Sequence, residues 1–591
     1  MWEPFGTANA TQKATWRPAP TERGTMSILS SCIITLLLCV YTCLHLNIPE
    51  HGKAEWYHLA RMKLYWILLG IFAPEFVAYV AVNDWLKAKN LTARMGDLLE
   101  NTATENSIQR ASEHDAQIPL SNTPEFNDVS SIPTNHRKTH AEWTRTHSHY
   151  ALMGGYVIDS SKSTLVTFPG GRTRLTLTPA GLQFLAIADP SLIPKISEAD
   201  ILDKSKADGF AKALACGQAI WFIAQFIGRL AADLPISLLE LNTFLHAICC
   251  LVIYIAWWRK PFGIIQPSLM FVNDEDLPNT PWVWMLTRSN IFARKQLYVD
   301  GKESKKSMTI YLSHLPYSGI RELSHSNDDT LSMLRLMEGD YCHGFRFYDL
   351  RPKEEKDRYP GYCCLYPKDR QYLKLSHAFA NANMSLMRLV ENKNMNVTYI
   401  SCFDERARTV PSDSNLDQLP ETMSRYTGHG KDRGDSDTLF LYGLFATGAI
   451  YGAIHLLAWN GPFSTRSESI LWKVAAFIIT APFVILLIKK PGILAVCYLL
   501  LRVRYPNETV SWQTVNQESF WRLPDNEGLW RKIWTRFLDL YEETAAYILA
   551  APYILSRAYL VVECFINLAH LPDGVYHVAE WSQYLPHMGA G

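Results

Sequence analysis

The chain has 591 residues, balances 57 Lys and Arg against 57 Asp and Glu, and has a mean hydropathy of −0.06. That length suits three or four ordinary domains, and the zero bulk charge argues against a nucleic-acid partner recruited by net positive charge, so no nucleic acid is expected. The average hides uninterrupted apolar runs of membrane-spanning length, which exclude a purely soluble enzyme.

The N-terminal tail, 1–26, carries no apolar segment, so no cleavable signal is expected and the first run serves as a signal anchor. A first transmembrane pair, 27–46 and 64–84, is followed by a hydrophilic loop, 85–210. A transmembrane hairpin, 211–231 and 236–258, leads into a larger hydrophilic loop, 259–437. A second pair, 438–458 and 470–488, precedes a linker, 489–544, a last span, 545–568, and a C-terminal tail, 569–591. At 1.5 Å of rise per residue each run crosses a hydrocarbon core of roughly 30 Å. The expected fold is an all-α polytopic membrane protein with about seven transmembrane helices and two large hydrophilic loops. An eighth run, 492–501, is too short to span and reads as interfacial or re-entrant.

In the first loop, 90–133 is rich in Asn, Thr, Ser and Glu and reads as a flexible linker. The character changes at Trp143, and Ser197-Glu-Ala-Asp200 predicts a capping box opening a helix that runs into the third span. The second loop alternates short pieces at 308–312, 372–375 and 397–402 with charged turns and is long enough for a small core of its own. Its Gly428-His-Gly-Lys-Asp432 lacks the spacing of a phosphate loop. Apolar and basic residues alternate at helical spacing over 530–542, as in a helix lying in the headgroup plane or packed on the cytosolic loops.

Within 15 positions of the spans, nineteen Lys and Arg fall on the N-terminal side and four, Lys53, Arg61, Lys63 and Arg466, on the other. The N-terminus and both long loops are therefore expected in the cytosol, with the C-terminal tail outside. Five glycosylation sequons, at Asn9, Asn90, Asn383, Asn396 and Asn507, also fall on the cytosolic side, which holds most of the loop residues. Most of the twelve cysteines lie in apolar runs as small hydrophobes, and Cys342, Cys363, Cys364 and Cys402 lack paired zinc spacing.

An ionisable side chain at mid-membrane costs about 2.5 to 3.5 kcal/mol on insertion scales, so each needs a partner or a purpose. Glu75 follows Pro74 near the centre of 64–84, where the proline removes a backbone hydrogen bond and bends the helix beside the carboxylate. Arg557 lies close to the midpoint of the last span. Either the two meet in the bundle interior and line a polar cavity, or they form a purely structural ion pair. Gln218, Trp221, Gln225 and Arg229 share one helical face. The tight turn at Leu234-Pro235 brings Arg229 level with Glu240, as a hairpin-locking salt bridge or a ligand-facing pair. Glu563 stands about 240 degrees round the helix from Arg557, so the two face different elements. His455, among small residues that favour close packing, reads as a structural histidine. His136, His140, His147 and His149 resemble one box of the membrane di-iron oxygenases, but the other boxes are missing and no metal is expected.

Arg23-Gly-Thr25, Ser31-Cys32, Thr35, Cys39, Thr42 and His45-Leu-Asn-Ile-Pro49 form one extended pattern. It continues through Ala73-Pro-Glu75, Trp143-Thr144, His147, Tyr150, Met153-Gly-Gly155, Ser205-Lys206, Gln218, Trp221-Phe222, Leu234-Pro-Ile236 and Leu239-Glu-Leu241. Trp257-Trp258, Lys260-Pro261, Tyr451-Gly452, His455, Arg557, Glu563, Leu571-Pro572 and the stretch from Trp581 to Pro586-His587 complete it. Over nearly its whole length the chain resembles a large group of uncharacterised fungal multi-pass integral membrane proteins, departing at His149, where an aromatic residue is common. The resemblance implies fungal origin and membrane residence, supplies no activity, and adds weight to Glu75, Glu240, Arg557 and Glu563.

These features suit a membrane protein that moves, senses or organises a small solute, with the bilayer and a small-molecule ligand as partners and no cofactor required. One alternative is a membrane-embedded enzyme of lipid, terpenoid or secondary-metabolite biosynthesis, using a buried carboxylate such as Glu75 or Glu240 as proton donor. The other is a scaffold or assembly factor whose loops recruit cytosolic proteins.

Overall fold

The computed structural model describes residues 22–49, 56–115, 143–288, parts of 294–386, 433–484 and 551–578, several of these with short gaps. The linker 489–544 with its amphipathic segment, the run 492–501, the piece 397–402, the stretch from Gly428 to Asp432, and His136 and His140 lie outside the described residues.

The described chain is mostly helical. Helices α1 (Thr25–Thr42), α2 (Trp56–Phe72), α3 (Pro74–Asp115), α4 (Arg145–Leu152), α5 (Pro179–Ala188), α6 (Glu198–Asp203), α7 (Gly209–Ala231), α8 (Leu238–Trp257) and α9 (Trp282–Arg288) come first. They are followed by α10 (Pro367–Ala382), α11 (Arg433–His455), α12 over 466–481 and α13 over 551–566. Among the described residues, three helices are long and apolar enough to cross a membrane: α1, α7 from Lys212, and α8. Leu37, Ile227, Ile255, Phe477 and Leu555 stand exposed on the outer faces of α1, α7, α8, α12 and α13. Such a belt is stable where lipid, not water, meets it.

At one end of the bundle, Arg23 N donates to the Tyr576 carbonyl at 2.8 Å beside the α7–α8 turn. At the other end the Tyr254 hydroxyl of α8 donates to Thr42 Oγ1 at 2.6 Å, and Ile48 N donates to the Met153 carbonyl at 3.0 Å, joining the bundle to a folded domain.

The run 64–84 is not a single straight helix. α2 and α3 are bent by 111° at Ala73. The Lys63 ammonium lies 3.7 Å from the Tyr41 ring and Asp84 meets Lys260 at 3.1 Å, so both arms reach the domain end, with the break deeper in the bundle. Residues 22–25 stand beside the α7–α8 turn, at the end of α8 opposite Lys260. Arg23 pairs there with Glu240 at 2.6 Å.

The expectation of an all-α fold is also corrected. β1 (Tyr156–Asp159), between β2 (Arg174–Thr176) and β3 (Ser268–Phe271), pairs antiparallel with β2 and parallel with β3. The sheet thereby fuses the two loops, read from sequence as separate, around one core that includes Tyr150, Tyr156, Phe184 and Trp284; the last two stack at 4.6 Å. A second, wholly antiparallel sheet contains β4 (Arg294–Val299), β5 (Lys302–Leu312), β6 (Leu334–Leu336), β7 (Tyr341–Cys342), β8 (Phe345–Tyr348) and β9 (Tyr362–Leu365), in the order β6-β9-β4-β5-β8-β7. Residues 372–375 belong to α10, which lends Phe379 to the domain core.

Residues 90–115, expected as linker, continue α3. Leu91 and Met95, one turn apart, are buried in the domain core with Leu98 and Leu99 packed against it, an apolar stripe masked by the polar residues between. The capping box of Ser197 and Asp200 is present, but α6 stops at Asp203 instead of running on. Ser205 is drawn away by the Phe262 amide, which donates to its hydroxyl at 2.9 Å.

Two outcomes follow from this packing. A Cβ on Gly452 of α11 would lie 3.0 Å from the Thr480 backbone nitrogen and 3.1 Å from Ile479 Cγ2. Gly452→Val should therefore cost about 1–3 kcal/mol through overpacking, read as a lower thermal midpoint in detergent. His149 on α4 is 1% exposed, and burial, then the neighbouring Lys260 ammonium, with a smaller push from Arg145 and against the pull of Asp84, hold its pKa down at about 4. The native ring is neutral where the unfolded one takes up a proton. Its share of stability is complete above the ordinary value of 6.5 and is lost as pH falls from there toward about 4. The thermal midpoint of the native protein should fall through that window more steeply than that of His149→Phe.

Candidate functional site

The break between α2 and α3 follows from Pro74, which has no N–H to give and opens α3 at its first position. Ending α2 here leaves carbonyls without helical donors. His246, from the middle of α8, answers one of them, with Nε2 3.0 Å from the Ile71 carbonyl and Nδ1 2.8 Å from that of Asn242. A neutral imidazole donates to only one of these two acceptors at a time.

Glu75 occupies the first turn of α3, where a helix N-terminus favours a carboxylate. Arg557 of α13 meets it through Nη2 and Oε1, with both side chains buried. The Tyr553 hydroxyl accepts from Arg557 Nε at 3.1 Å and Nη2 at 2.9 Å, and the guanidinium lies 4.4 Å from the Tyr451 ring centre. His455 Nδ1 donates to the Tyr451 carbonyl at 2.9 Å, and Trp472 Nε1 donates to the His455 carbonyl at 3.0 Å. The guanidinium thus has a carboxylate, a hydroxyl and an aromatic face, the set that a desolvated arginine needs. The carboxylate is less completely served. Its Oε2 is buried and has no hydrogen-bond partner among the described residues, leaving an acceptor open to a proton or to a donor group.

Tyr451, Tyr553, Asn242 and His246 were not singled out from sequence as members of this site. The signal available was local: Tyr553 precedes Arg557, and Tyr451 precedes His455, by one helical turn.

The remaining candidates lie elsewhere. Gln218 Nε2 donates to Thr35 Oγ1 of α1 at 3.0 Å, and Gln225 is half-buried farther along α7. Arg229 donates to the carbonyls of Pro235 and Val575, each at 2.8 Å, and of His577 at 2.6 Å, while its Nε stands 3.9 Å from Glu240 Oε1. Glu240 closes a capping box with Ser237 and pairs with Arg23 at 2.6 Å, so this cluster ties both ends of the chain to the α7–α8 turn. Glu563 is buried beside Tyr559, with Oε1 lacking a hydrogen-bond partner among the described residues, and does not join Arg557. His147 serves α4, its Nδ1 accepting from Thr144 N at 3.2 Å and its Nε2 donating to the Ile196 carbonyl at 2.8 Å.

Removing one member of a buried ion pair strands the other, at about 3–5 kcal/mol. Glu75→Gln and Arg557→Met should each lower the thermal midpoint in detergent sharply, and Glu75→Leu/Arg557→Met together should recover most of the loss.

No curated protein and no solved structure matches the chain. A model described as a family of unknown function (DUF8562) matches residues 1–297 and 435–588. The matched segments contain Glu75, Arg229, Glu240 and Arg557 and leave out most of the six-stranded sheet. The chain belongs to this family of unknown function, DUF8562.

Proposed function

We propose that the chain is a multi-pass integral membrane protein that handles or senses a small solute at the Glu75–Arg557 pair. In this reading α11, α12 and α13 cross the membrane beside α1, α7 and α8, and α2 with the first turns of α3 form a re-entrant pair. The domain end faces the cytosol, since Arg61, Lys63, Lys87, Lys89, Arg259 and Lys260 gather there.

The observation that carries the reading is the open Glu75 oxygen at the tip of the broken pair. A solute bearing an ammonium or hydroxyl group, or a proton, finds an acceptor there and competes with Arg557 for the carboxylate. Loss of that contact frees the guanidinium to remain on Tyr553 and Tyr451, so the tip of the pair can shift without leaving Arg557 bare. A purely structural ion pair is expected to fill both carboxylate oxygens.

The test is paired intracellular and extracellular metabolite profiling of the host with the gene intact, deleted, or carrying Glu75→Leu/Arg557→Met at wild-type abundance. Unchanged totals with an altered partition across the membrane in both altered strains is the expected result. Disappearance of a compound with accumulation of its precursor would replace this reading with an enzymatic one, and unchanged profiles would reject it.

A further inference from the structure

A second polar cluster, distinct from the Glu75 pair, lies where the bundle meets the folded domain. Four segments converge there: 43–49 after α1, α3 at Asp84, α4 at His149, and the end of α8 with Lys260 just beyond. Lys260 is 3% exposed, its ammonium 3.1 Å from Asp84 Oδ2 and 4.1 Å from the Trp257 ring centre. His45 is packed between Trp257 and Phe262, with ring centres at 5.8 and 5.2 Å. Its Nδ1 is 2.9 Å from the Cys43 carbonyl and donates to it, so the neutral ring presents a lone pair at Nε2. His149 lies within electrostatic reach of His45, Lys260 and Asp84.

Four buried polar atoms in this cluster have no hydrogen-bond partner among the described residues: His45 Nε2, both ring nitrogens of His149, and Trp257 Nε1. Buried groups of this kind are nearly always satisfied in folded proteins, so four in one place point to an occupant. Their chemistry restricts what it is. The Trp257 indole only donates, the Lys260 ammonium only donates, His149 has one N–H to give and one lone pair, and Lys212 adds a second positive charge near His45 against the carboxylate of Asp84. Anionic oxygens match that surplus of donors and charge. The lone pairs of His45 Nε2 and of one His149 nitrogen call for O–H donors as well, which a carboxylate lacks; a monoprotonated phosphate supplies one. The cluster also follows Trp257-Trp258-Arg259-Lys260 at the end of the apolar stretch of α8, a composition typical of the headgroup level of a bilayer.

We propose that this junction holds a phosphate monoester, supplied by a phospholipid headgroup or by a soluble phosphate ester, with Lys260, Trp257 and His149 donating to its oxygens and His45 accepting from its hydroxyl. The site ties the bundle to the domain, and occupancy would brace the two against each other.

The experiment uses the purified full-length protein, stripped of lipid in detergent, with thermal midpoint and native mass spectrometry as readouts. Phosphatidic acid, phosphatidylcholine, glycerol 3-phosphate and sulfate are the probes. Phosphatidic acid should be retained and raise the midpoint, whereas phosphatidylcholine, a diester, and sulfate should not. A matching effect of glycerol 3-phosphate would assign a soluble source, and its absence a lipid source; both support the proposal. His149→Phe removes only unpartnered atoms, so its unliganded midpoint at neutral pH should equal or exceed that of the native protein while phosphate binding weakens by at least about tenfold. Asp84→Asn/Lys260→Met, which removes the buried pair together, should abolish binding. Binding of neither phosphate probe, or undiminished binding by a folded His149→Phe, would overturn the proposal and leave the site to water.

Discussion

A helix interrupted deep inside an apolar bundle exposes carbonyls that hydrocarbon cannot solvate, and this constraint organises the protein's interior. Pro74 makes the interruption between α2 and α3. α8 responds by placing His246 against the Ile71 carbonyl, and α13 responds by placing Arg557 against the carboxylate that follows the proline. Tyr553 and Tyr451 then hold the guanidinium, and His455 and Trp472 fix the backbone behind Tyr451. Four further helices are thereby committed to one break. The polar groups are costly singly and compatible together, which is how a charged pair persists where apolar side chains surround it.

A different solution operates at the end opposite the domain. Arg229 is engaged mainly with backbone oxygens of the α7–α8 turn and of the segment after α13, and Glu240 is shared between its own helix N-terminus and Arg23. The first and last described segments of the chain are clasped there around a single turn. The Glu75 pair leaves one acceptor open, whereas Arg229 spends both terminal nitrogens on fixed carbonyls and leaves its Nε without a hydrogen-bond partner among the described residues. The break carries the proposed site, and the clasp fastens the two ends of the chain.

Much of this was legible in local spacing. Pro74 beside Glu75 announced a bend next to a buried charge, the short turn at Pro235 put Arg229 level with Glu240, and Ser197 with Asp200 announced a helix start. What escaped was non-local or directional. Hydropathy registers the apolar length of 64–84 but not the sharp bend between its two arms. The stripe of Leu91, Met95 and Leu98 was obscured by polar composition, although its spacing is helical. The parallel pairing of β1 with β3 joins strands more than a hundred residues apart, beyond any local pattern.

That pairing also sets a schedule for biogenesis. β1 leaves the ribosome before α7 and α8, and β3 only after them, so the sheet stays unfinished until the hairpin has been made. Trp282 to Leu286, which help close the same core, arrive later still. The domain can become protease-resistant only after the α7–α8 hairpin has been made, so its completion reports that the hairpin has been synthesised.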